Sequence, residues 1–62
     1  GGTTTIVLSS QDQALLTRAK NEYQAGRIDE ANLIMIQILK NNPQNIRVKS
    51  VSDLKKKIDA RL

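Results

Sequence analysis

The sequence predicts an all-α fold of three short helices behind an extended N-terminal arm, on three observations. Apolar residues recur at steps of three and four through most of residues 11–62. Gly26 and Pro43 fall where that spacing breaks, and each is a residue type that stops a helix. The connections left between the periodic stretches are short, which implies antiparallel neighbours in a compact bundle.

Residues 1–9 read as a flexible or extended arm, and residues 10–62 as a single domain. Gly1 to Leu8 are small, β-branched or apolar, and none is charged. The chain opens on Gly1-Gly2 without an initiator methionine, which reads as a processed or excised piece of a longer protein. The first helix is expected at about 11–25. Ser10 stands three residues before Gln13, the spacing of a reciprocal capping box. Leu15, Leu16, Ala19 and Tyr23 then share one stripe, and Gly26 supplies the left-handed residue that ends the helix.

The second helix is expected from about Asp29 to Asn41. Ala31, Leu33, Ile34, Met35, Ile36, Ile38 and Leu39 leave only a narrow polar strip at Glu30, Gln37 and Lys40. A helix so widely apolar is covered on more than one side, which places it between the other two. Pro43 closes it. In the third helix Val48, Val51, Leu54, Ile58 and Leu62 advance by three and four along one face. It is expected over about 46–61, with a later start near Ser52 as the alternative. Asp53 with Lys57 and Lys55 with Asp59 are spaced for ion pairs along it.

Composition excludes several function classes. The chain has 62 residues and neither cysteine nor histidine, so no disulfide, thiol nucleophile or ordinary zinc or haem site is expected. No cofactor is expected either. A core this small rarely supplies more than roughly 3–5 kcal/mol, and self-association is one remedy. No apolar run approaches the ~20 residues of a membrane helix. The sequence reads as a soluble domain and assigns no compartment; a parent protein in the cytoplasm or at the envelope fits equally. The net charge of +4 lies wholly in residues 46–62, because the charges of residues 1–45 cancel. That asymmetry suits an acidic partner.

The spacing of Leu15, Ala19, Tyr23, Gly26, Ile28, Ala31, Met35, Leu39 and Pro43 resembles a tetratricopeptide repeat, a helix–turn–helix unit of roughly 34 residues. The run Ala25-Gly26-Arg27-Ile28-Asp29-Glu30-Ala31 is the most specific part. The resemblance implies one repeat over about residues 12–45, followed by a C-terminal capping helix. It also implies protein binding, with a peptide laid along Gln13, Leu16, Lys20, Tyr23 and Arg27 and extended by Arg47 and Ser50. The carboxylate-clamp pattern is absent, because Leu16 and Lys20 occupy its places.

Each candidate also has an ordinary reading. Tyr23 serves helix packing better than a groove, and Lys20 and Arg27 suit solvated helix positions. Leu33 and Ile36 point away from the stripe of Ala31, Met35 and Leu39. A second copy, a repeated neighbour or the Ile6-Val7-Leu8 arm could cover them, and ordinary exposure is the alternative. Lys55-Lys56-Lys57 do not form one stripe, since adjacent helical residues point 100° apart. The expected function is therefore non-catalytic: a protein-interaction, scaffold or assembly module with a protein or peptide partner, and with homodimerisation as an option. The alternative is a small basic helix-turn-helix domain that binds nucleic acid. Against it, the second helix lacks exposed base-reading side chains and no Asn or Gln follows Asn45. An enzyme lacks a histidine, a cysteine and a glycine-rich phosphate loop.

Overall fold

A computed structural model describes residues 7–62. Its elements in chain order are α1 (Ser10–Gln24), α2 (Ile28–Asn41), a 3-10 turn (Pro43–Arg47) and α3 (Lys49–Asp59), with no strand among the described residues. The helices α1 and α2 form an antiparallel hairpin, and α3 packs against both. The expected three-helix, all-α class is what the chain adopts.

Apolar periodicity explains which faces meet. Leu16 and Ala19 of α1, Ala31, Met35 and Ile38 of α2, and Val51, Leu54 and Ile58 of α3 form one buried cluster. Leu15, Tyr23, Ile28, Ile34, Leu39 and Val48 pack half-buried at its margin. Ala19 and Ala31 have no exposed surface at all. Small side chains at both positions let α1 and α2 approach closely.

Leu8 belongs to this same cluster, at 8 % exposure. The expectation that it helps to cover an outer apolar face is therefore corrected: an apolar side chain beside the start of α1 finds more contact in the chain's own core. Val7 remains 77 % exposed, and Ile6 lies outside the described residues.

The start of α1 also differs from expectation by one residue. Ser9, not Ser10, is the N-cap, and its Oγ accepts from the Asp12 backbone N–H at 3.2 Å. Either serine could cap, since each has a polar residue three positions on. Ser9 is the one whose Oγ receives a backbone N–H.

The turn after α1 is a Schellman motif. The Gly26 N–H donates to the Tyr23 carbonyl and the Arg27 N–H to the Glu22 carbonyl, at 3.0 and 2.9 Å. Gly26 sits at φ +86°. The apolar contact that often closes this motif is replaced by an ion pair between the same two positions. Arg27 Nε and Nη2 donate to Glu22 Oε2 and Oε1 at 2.7 and 2.9 Å. A Cβ on Gly26 would meet nothing within 4 Å, so the cost of Gly26→Ala is backbone strain alone. It should lower stability by about 1 kcal/mol, a fall in Tm of roughly 4–8 °C by thermal melt.

At the far end of the hairpin α2 stops before Pro43, as expected. The chain then makes a 3-10 turn in which Asn42 Oδ1 accepts from the Gln44 N–H at 3.1 Å. This turn moves the start of α3 to Lys49, between the two starts expected from sequence. Of its apolar face, Val51, Leu54 and Ile58 are buried, whereas Leu62 lies past the helix and is 63 % exposed. Lys55 Nζ reaches Asp59 Oδ2 at 2.8 Å, but Asp53 and Lys57 form no ion pair.

Candidate functional site

Where α3 leans across the second half of α1, a gap remains between them. Lys20, Tyr23 and Gln24 of α1 face Ser50, Asp53, Leu54 and Lys57 of α3 across an open cleft of about 320 Å³. Each side presents residues next to its core stripe. On α1, Lys20 and Tyr23 flank the buried Ala19; on α3, positions 50, 53 and 57 run at steps of three and four beside Val51, Leu54 and Ile58. Tyr23 and Leu54 give the cleft its apolar floor, and the lysines and Asp53 its rim.

Tyr23 is half-buried and packs on the core with part of its ring. The Arg61 guanidinium lies over the ring, 5.9 Å from its centroid, close enough for a cation–π contact. Lys20 and Lys57 line the cleft with Tyr23, and Arg61 lies over the Tyr23 ring, so cations outnumber Asp53, the acid among the cleft residues. The local field is positive, in keeping with the basic third segment.

The residues expected to form a groove are only partly brought together. Lys20, Tyr23 and Ser50 line the cleft. Leu16 does not: it is 2 % exposed and belongs to the core, because it occupies the centre of the α1 stripe one turn before Ala19. Arg27 is held by Glu22 at the turn; that pairing raises the Arg27 pKa and holds the Glu22 carboxyl below its ordinary value. Gln13 and Arg47 are exposed and lie outside the cleft lining. Gln24, Asp53, Leu54 and Lys57 were missed as site residues. The register of positions 50, 53 and 57 was a usable signal, obscured by reading Lys57 as part of a charge run.

A second cluster is polar and structural. Asp12 is 6 % exposed and Asn45 is 2 % exposed. Asn41 Nδ2 donates to Asp12 Oδ1 at 2.8 Å, and Asn45 Nδ2 donates to Asp12 Oδ2 at 3.0 Å and to the Ile38 carbonyl at 2.9 Å. Gln37 Nε2 donates in turn to Asn41 Oδ1 at 2.9 Å. The Asn41 bond, with those from Asn45 and Ser9, holds the Asp12 carboxyl below its ordinary pKa, against the opposing effect of burial. No buried side-chain polar atom among the described residues lacks a partner, which fits a structural role for this cluster.

On the outer side of α2, Leu33 and Ile36 remain 59 % and 45 % exposed. Among the described residues, no helix is long and apolar enough to cross a membrane.

This geometry defines a class, a small three-helix domain that carries, among the described residues, a cationic cleft and an apolar helix face. Residues 8–62 match a protein family described as TP_0855_C, C-terminal, and the chain belongs to that family. No curated protein and no solved structure gives a significant match. The tetratricopeptide resemblance is thereby corrected, since the family that matches is not a tetratricopeptide family. The shared positions have a physical origin: any close antiparallel hairpin needs small residues at the crossing, a glycine at the turn and a stop at its end.

Proposed function

We propose that the chain is a non-catalytic protein-interaction module that takes a peptide segment with an acidic residue beside an apolar one. The cleft between α1 and α3 carries this reading. Its Tyr23–Leu54 floor accepts an apolar side chain, and Lys20 and Lys57 stand where a neighbouring carboxylate would sit. The excess positive charge of residues 46–62 supports the same choice of partner by drawing acidic segments to this side.

Titration of the 15N-labelled chain with short acidic–apolar peptides, and with basic ones as the control, tests the proposal. Amide shifts should cluster at Lys20, Tyr23, Ser50, Asp53 and Lys57. Reversing both lysines, Lys20→Glu with Lys57→Glu, should weaken binding by roughly tenfold or more at low salt, in line with charge pairs at an interface rim. Equal shifts with acidic and basic peptides, or shifts elsewhere only, would reject the cleft.

A further inference from the structure

The outward face of α2 has a pattern that the cleft does not use. Asp29, Leu33, Ile36 and Lys40 follow one another at steps of four, three and four. At 100° per residue they fall within an arc of about 60°. That arc lies opposite the buried Ala31, Met35 and Ile38, and all of its residues are exposed. Among the described residues, neither Asp29 nor Lys40 takes part in an ion pair.

The order acid, apolar, apolar, base reads as its own complement when reversed. We propose that this face pairs with a second copy of the chain, α2 against α2, antiparallel about a two-fold axis. In such a pairing Leu33 meets the partner's Ile36, and Asp29 meets the partner's Lys40, each contact occurring twice. A parallel pairing would set Asp29 against Asp29 and Lys40 against Lys40, so charge selects the antiparallel arrangement. The opposed helix directions add to it, because each acid-rich first turn then lies beside a basic last turn. No residue of α2 lines the cleft, so a contact through this face leaves the cleft lining out of the pairing. The pairing rests on observations separate from those behind the peptide reading.

One helix face is a small interface, below the roughly 800 Å² per partner of a standard complex, so the dimer should be weak and concentration-dependent. Sedimentation equilibrium on the 62-residue chain, from about 10 μM to about 1 mM, is the experiment. The mass should rise towards twice the monomer value. Asp29→Lys and Lys40→Asp should each weaken association by roughly tenfold, because each turns two attractions into two repulsions. The double reversal D29K/K40D should restore it, as should mixing the two single variants. Both sites are exposed, so a CD melt separates loss of pairing from loss of fold. A monomer at every concentration, single variants that associate like the wild type, or a double reversal that stays monomeric would each overturn the proposal.

Discussion

Ala31→Leu should lower the melting temperature by roughly 10 °C or more. Ala31 has no exposed surface and sits where α1 and α2 close on each other, with Ala19 equally buried. Three added heavy atoms have nowhere to go without parting the helices, and overpacking of this kind costs about 1–3 kcal/mol and occasionally more. A core of this size holds only roughly 3–5 kcal/mol in total, so the substitution removes a large share. Each kcal/mol corresponds to about 4–8 °C in a domain this small. Ala31→Arg should be worse, because it adds an unpaired charge to the same volume. Ala14→Leu, at an exposed position of α1, is the control and should melt like the parent. An unchanged melt for Ala31→Leu would mean that the two helices do not approach as described.

The second large effect concerns Asp12. Its carboxylate accepts from Asn41 and Asn45, and these bonds hold the folded-state pKa below its ordinary value. A depressed carboxyl contributes stability in full above its unfolded value of about 3.9, and loses it as the pH falls through the folded value. Melting temperature should therefore be level from about pH 7 to about pH 5 and drop below about pH 4. Glu22, held down by Arg27, adds to the same acid limb. Asp12→Asn should lower stability at neutral pH by more than Gly26→Ala does. An amide turns one acceptor into a donor, and that donor then faces the donating amide of Asn41 or Asn45. The variant should also show a shallower acid limb, with Glu22→Gln removing part of what remains. A full acid limb in Asp12→Asn would show that these bonds do not favour the charged form.

Much of the fold could be read from residue spacing because the helices are amphipathic and their stops are explicit. Gly26 and Pro43 mark real ends, and the α1 and α3 stripes became the buried faces. What could not be read lay between residues far apart in the chain. Asp12 stands one turn ahead of Leu16 on the core stripe, a place where an acid requires a partner. Nothing local to Asp12 identifies Asn45 as that partner, because the two meet only after the hairpin has closed. The apolar run of α2 gave a mixed outcome for a related reason. Periodicity placed Leu33 and Ile36 away from the stripe of Ala31, Met35 and Leu39, where they are exposed, but the apolar residues around the rest of the helix left open whether another segment covers them. In the cleft, Lys20, Tyr23 and Ser50 are legible, whereas Leu16, on the core stripe by its spacing and in the groove only by the resemblance, belongs to the core.

Asn45 grips both the start of α1 and the end of α2 from within the five-residue bend that leads into α3. Its two bonds tie that bend to both helices of the hairpin, one residue before α3 begins. One buried amide thus joins α1 to α2 at the root of α3, and none of the residues that line the cleft takes part in that junction.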